Sequence, residues 1–203
     1  MKMSNDHRRS LTLHLKPVQL GSFSQLFQEG IVLDVEVGCS ITQLLVDQFG
    51  VPKDYIRNRI TTLFLNSKAV DDAQTALVHD GSVLALSGAM PGLVGATMRS
   101  GGYYAAMRSS INHKNQKELP AEKIGTIKIK LFNLIKDELG PGFLGKGILL
   151  PISKLIDVLH NQTHASKLNG QWDNGEELSV DFDNLNVAGF EDQVIKLKAD
   201  FES

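Results

Sequence analysis

Two short apolar runs, bounded by turn residues, dominate the middle of this 203-residue chain. Leu63-Phe-Leu65 ends in Asn66, an acidic turn follows at Asp71-Asp72, and Asp80-Gly81 precedes Val83-Leu-Ala-Leu86. Apolar runs this short, closed by Asn, Asp and Gly, read as buried β-strands, so the chain is constrained to build a sheet around them. From Gly81 to Met98 no residue is charged. A membrane-spanning helix needs about 20 predominantly apolar residues, and Gly81, Gly88, Pro91, Gly92 and Gly95 interrupt this candidate. The stretch reads as a strand running into a glycine-rich loop, with no transmembrane segment expected.

Upstream, Leu11, Leu13 and Leu15 alternate with polar residues, as do Ile31, Leu33, Val35 and Val37. Both segments therefore predict half-buried strands. Ser40 with Gln43 forms a capping box that opens a helix through Ile41, Leu44, Leu45 and Phe49, stopped by Gly50 and Pro52. Between the two strands, Phe23, Leu26 and Phe27 suggest a short helical insert that packs its aromatics down.

The order strand, strand, helix, strand, strand, with the spacing "LN-x5-DD…V-x-DG", resembles the ubiquitin-like β-grasp domain of the sulfur carriers. These are the small subunit of molybdopterin synthase and the thiamin sulfur carrier. The resemblance covers about residues 11–95. It implies a mixed sheet whose first two strands form a hairpin, with a crossover helix on one face. Carriers of that family act through a free C-terminal Gly-Gly. Here Pro91-Gly92 lies nearest that tail, Gly101-Gly102 lies farther on, and neither is terminal.

Residues 96–123 read as a basic, glycine-containing connector, with Arg99, Arg108, Lys114, Lys117 and Lys123 facing only Glu118 and Glu122. A second, smaller α+β unit is expected at 124–203. Ile127, Ile129 and Leu131 predict a strand, and Gly140–Gly147 is expected to be a loop. Pro151 precedes a helix with Ile152, Leu155, Ile156 and Leu159 on one face. Asn174-Gly175 marks a hairpin, and Ile195, Leu197, Ala199 and Phe201 a last strand. No internal repeat is evident, because the turn signals of the two halves differ in spacing. The expected fold class is α+β.

Chemistry is sparse. The formal net charge of −2 gives no pull toward nucleic acid, and no phosphate-loop pattern appears. The single cysteine, Cys39, excludes an internal disulfide; a cytoplasmic location is expected. Cys39 precedes the capping Ser40, where a helix N-terminus would favour a thiolate, and His14 is a candidate neighbour. A small buried thiol is the plainer reading. His160 and His164 have the spacing of two ligands on one helix face but lack the Glu of the metalloprotease motif, so two solvated histidines are preferred. Asp173, Glu176, Glu177, Asp181 and Asp183 form an acidic group outside the calcium-loop spacing. No cofactor is expected.

The leading expectation is a non-enzymatic β-grasp binding or adaptor protein that meets a protein partner or a second copy of itself. Its surface would be Met90, Leu93, Val94, Met98, Arg99, Gly101, Gly102, Tyr103, Tyr104 and Arg108, since Met, Tyr and Arg favour interfaces. The alternatives are a carrier or ubiquitin-like modifier released after an internal Gly-Gly, and an enzyme built on Cys39 or on the histidine pair.

Overall fold

The computed structural model describes residues 8–88, 92–103, 123–160, 168–175, 177–180 and 193–201. Strand β1 (Ser10–Leu15) leads through a 3-10 segment (Pro17–Phe23) into α1 (Ser24–Glu29). Then come β2 (Ile31–Val37), α2 (Ile41–Gln43) continuing as a π-helical turn (Leu44–Gln48), and α3 (Lys53–Asn58). Next are β3 (Thr62–Leu65), β4 (Lys68–Ala69), β5 (Val83–Ser87), α4 (Gly92–Met98) and β6 (Lys123–Phe132). The chain closes with α5 (Leu134–Lys146), β7 (Ile148–Pro151), α6 (Ile152–His160), β8 (Leu168–Trp172), β9 (Glu177–Val180) and β10 (Val194–Phe201). The class is mixed α and β, as expected.

Internal contacts divide the chain into a continuous unit, Phe27–Leu139, and a split unit, Met1–Leu26 with Gly140–Ser203. This division differs from the expected boundaries at 95 and 124. It places β1 with the C-terminal residues and β6 with the middle of the chain.

In the continuous unit the sheet runs β4-β3-β5-β6-β2. Strands β3 and β5 pair antiparallel, β5 and β6 parallel, and β6 and β2 antiparallel. Alternation dictates the faces: Ile31, Leu33 and Val35 turn inward from β2, and Ile127, Ile129 and Leu131 from β6. Asn66 and Ser67 both take positive φ (51° and 65°), which makes the two-residue turn joining β3 to β4. Asn66 also exchanges backbone and side-chain hydrogen bonds with Val83 at the start of β5. Asp80 Oδ1 accepts the Thr126 N–H at 2.8 Å, and Gly81 N–H donates to the Thr126 carbonyl at 2.7 Å, fixing β6 beside the turn before β5.

In the split unit the order is β7-β10-β1-β8-β9. Strands β7 and β10 are antiparallel, β10 and β1 parallel, β1 and β8 antiparallel, and β8 and β9 antiparallel. Leu11, Leu13 and Leu15 are fully buried, as are Ile195, Leu197 and Ala199 of β10. Gly170 sits opposite Leu13, where a Cβ would come within 2.8 Å of the Thr12 carbonyl.

Four expectations need correction. The first two strands form no hairpin: β1 pairs with β10 and β8, and β2 pairs with β6. A hairpin needs a short turn, and residues 16–30 are instead mostly helical, with Phe23 and Phe27 buried as expected. Gly140–Gly147 is not a loop; α5 runs through Pro141, because burying Ile135, Phe143 and Leu144 outweighs the local helix-breaking preference. The glycine-rich stretch after β5 coils into α4 instead of staying a loop. Finally, a repeat does exist, in strand order and direction instead of in turn spacing.

Candidate functional site

The continuous unit contains a cleft of about 860 Å³, within the size range of small-molecule sites. One wall is α3, which presents Lys53 and Arg57 one turn apart; the other is the loop after β4, with Asp71, Asp72 and Gln74. Ile56, Ile60 and Leu63 lie beneath and are themselves buried. Capping shapes the third side. Ser40 Oγ accepts the Gln43 N–H at 3.1 Å and the Gln43 side chain accepts the Ser40 N–H at 2.9 Å, which is the capping box expected from sequence.

The two acids of the loop already serve the backbone. Asp72 Oδ1 accepts the Gln74 N–H at 2.8 Å, and Asp71 Oδ1 accepts the Gly101 N–H at 3.2 Å. Ser100 completes the cleft and is held twice: its N–H donates to the Thr61 carbonyl at 2.9 Å and its hydroxyl to the Val70 carbonyl at 2.8 Å. Gly101 takes φ +63°, in the left-handed region that favours glycine. The Gly-Gly pair is thus the turn that brings the chain from α4 to the mouth of the cleft.

The expected binding residues divide accordingly. Met98 is half-buried at the end of α4, Arg99 and Gly101 are exposed, Gly102 is half-buried, and Tyr103 is 91% exposed. Leu93 and Val94 belong to α4, but their side chains lie outside the described residues, as do Met90, Tyr104 and Arg108 altogether. The cleft itself was missed from sequence. Its walls come from α3 and a loop about fifteen residues farther on; the capping pair Ser40 and Gln43 and the acidic turn Asp71-Asp72 carried local signals, and nothing local brought them together.

Cys39 is half-buried. Its thiol donates to the Glu36 carbonyl at 3.3 Å, and Gln48 Nε2 donates to the sulfur at 3.5 Å. Burial pushes the thiol pKa up; hydrogen bonds to the sulfur from its own backbone N–H and from Gln48 oppose this, and the carboxylates of Glu36 and Asp47 add to the rise. That is the reverse of the activated thiolate that the helix N-terminus suggested. Cys39 and its candidate neighbour His14 belong to different units.

A polar cluster joins α3 to α5. The Tyr55 hydroxyl donates to Glu138 Oε2, and Arg59 forms an ion pair with the same carboxylate. The Arg59 and Tyr55 hydrogen bonds hold the Glu138 carboxyl below its usual range. Desolvation, then the Glu138 hydrogen bond and charge, raise the Tyr55 phenol well above its ordinary value.

Among the described residues no group of three or more His, Cys, Asp or Glu is placed to hold a metal ion. The His160 side chain and His164 fall outside the described residues, as do all members of the acidic group except Asp173 and the Glu177 backbone. Asp173 Oδ2 accepts the Ser10 N–H at 3.0 Å. Among the described residues no helix is long and apolar enough to cross a membrane. No protein-family model, no characterised protein and no solved structure matches this chain.

Proposed function

We propose that this protein is a binding module built on a β-grasp sheet, the continuous unit, and that it meets its partner at the cleft and the 98–103 turn beside it. The observation that carries the reading is how the Gly-Gly turn is held: Ser100 and Gly101 are bonded to Thr61, Val70 and Asp71, and Tyr103 beside them is 91% exposed. An exposed tyrosine on a fixed backbone is the kind of low-entropy anchor that interfaces favour. The β-grasp assignment draws on the mixed sheet, on the antiparallel pair β2/β6 at one side, and on the helix that follows β2.

The same topology weighs against release of a carrier. Strand β6 lies between β5 and β2 and carries buried Ile127, Ile129 and Leu131, yet it follows Gly102 in the chain. A cut at Gly92 or Gly102 would sever this strand from the sheet it completes.

Intact-mass measurement on protein from its native cell separates the two readings. The binding reading expects a chain uncut at both Gly92 and Gly102; a fragment ending at either would replace it with the carrier. Light scattering of wild type beside Tyr103→Asp then identifies the partner. A dimer lost in the variant assigns the surface to self-association, and a monomer in both removes self-association.

A further inference from the structure

The two units, each taken alone, follow one plan. An edge strand leads into a helix (β2 to α2, β7 to α6), a hairpin comes next (β3/β4, β8/β9), and two parallel strands lie between the edge strand and the hairpin. The correspondence reaches single residues. Gly30 precedes β2 with φ +112° and Gly147 precedes β7 with φ +98°. A Cβ on Gly30 would meet the stems of Lys128 and Lys130, and one on Gly147 those of Lys196 and Lys198. Strands β6 and β10 are therefore equivalent, each setting a Lys-x-Lys pair beside the glycine before the edge strand.

By this correspondence the place filled by β5 in the continuous unit is filled by β1 in the split unit. Each is parallel to the Lys-x-Lys strand on one side and antiparallel to the first hairpin strand on the other. The chain reaches them differently. β5 follows its hairpin directly, whereas in the split unit β10 is the next described strand after β9, and the central place is filled by β1 from the other end of the chain.

We infer that β1 is a latch strand: the described residues of 140–203 supply four strands of this sheet, β7 and β10 on one side and β8 and β9 on the other, and docking of Ser10–Leu15 between β10 and β8 joins them as a separate cooperative step. The docked strand is secured beyond its own ladder. Lys196 N–H donates to the Arg9 carbonyl, Asp173 N–H to the Ser10 carbonyl, and the Arg9 guanidinium sits 4.3 Å from the Trp172 ring centre. Leu11, Leu13 and Leu15 fill the interior side. Without them the apolar face of β10 loses its neighbour, and the ladder groups of β10 and β8 that face β1 lose their partners.

Hydrogen exchange by mass spectrometry on the whole chain tests this, using Leu13→Asp and the equivalent Leu86→Asp in β5, both fully buried positions. Leu13→Asp is expected to speed exchange in β7, β8 and β10 by about thirtyfold or more, while β2, β3, β5 and β6 keep wild-type rates. Leu86→Asp should reverse the pattern. Equal acceleration in both units under Leu13→Asp would overturn the latch, since the chain would then open as one body. Unchanged exchange in β7, β8 and β10 would overturn it as well. Should Leu13→Asp fail to accumulate, Leu13→Ala reads out the same partition at smaller amplitude.

Discussion

The continuous unit and the split unit arrive at the same strand plan from different stretches of chain. In the first, β2 through β6 follow one another along about a hundred residues, and turn residues such as Asn66 and Asp80 hold neighbouring strands through nearby hydrogen bonds. In the second, the parallel pair β1/β10 joins the two ends of the chain, some 186 positions apart in register. Closing so long a loop costs conformational entropy before any contact repays it. The comparison teaches that a sheet is defined by which strand occupies each place, and chain connectivity sets only when that place is filled.

The sharpest way to break the equivalence is to excavate corresponding core positions. Ile129→Ala in β6 and Leu197→Ala in β10 each empty a fully buried site, and each should cost about 2–5 kcal/mol. Denaturant unfolding followed by unit-resolved hydrogen exchange should find each loss confined to its own sheet. A loss spread evenly over both would mean that the two plans are not separate cooperative bodies.

The paired glycines sharpen it further. Gly30→Ala and Gly147→Ala each place a side chain at positive φ, a strain on the order of 1–3 kcal/mol. Their surroundings differ in one respect. The atoms nearest a Cβ at Gly30 are Lys128 Cγ and Cδ at 2.7 and 2.8 Å, close to the backbone, while the nearest at Gly147 is Lys196 Cε at 2.6 Å, near the far end of its side chain. Gly30→Ala should therefore be the costlier change by thermal melting. Lys128→Ala should recover part of that loss, and Lys196→Ala should recover little in the Gly147 background.

The smallest expected effect is electrostatic and belongs to the continuous unit. Glu138 is held below its ordinary pKa, so its contribution is present above about pH 4.3, the unfolded value, and fades as pH falls through the lower folded one. Tyr55 is raised; its contribution is present below about pH 10 and fades as pH rises past that, because the unfolded phenol loses its proton first. The groups are partly exposed, so the whole effect should stay within about 1 kcal/mol. Tyr55→Phe should flatten the alkaline limb, and Glu138→Gln the acid limb, of stability measured against pH.

Much of this was legible from residues alone. Alternation placed β1, β2, β6 and β10, Ser40 with Gln43 marked the start of α2, and Asn174-Gly175 marked the β8/β9 turn. The motif that suggested a β-grasp consists of residues with local duties: Asn66 binds the start of β5, Asp72 closes its own turn, and Asp80 holds Thr126. Short β4 and β7 were not visible, the first because a two-residue strand carries no period and the second because Ile148-Leu-Leu150 lies beside a glycine-rich stretch. Helix α5 was hidden by Gly140-Pro141-Gly142, whose local preference runs against the structure they adopt.

The sequence by itself determined where the longer alternating strands and the capped helix α2 lie and which face of each is apolar, since those follow from side-chain period and turn chemistry within a few residues. It did not determine partners. Leu11-Thr-Leu-His-Leu15 and Ile127-Lys-Ile-Lys-Leu131 present the same alternating pattern, and a strand's period says nothing about which apolar strand lies alongside. Only the tertiary structure decided that β1 closes the C-terminal sheet, that β6 lies between β5 and β2, and that Lys53, Arg57 and Ser100 line one cleft. Those outcomes rest on burying the apolar faces and pairing the backbone groups of whole sheets at once, a sum over contacts that no local window contains.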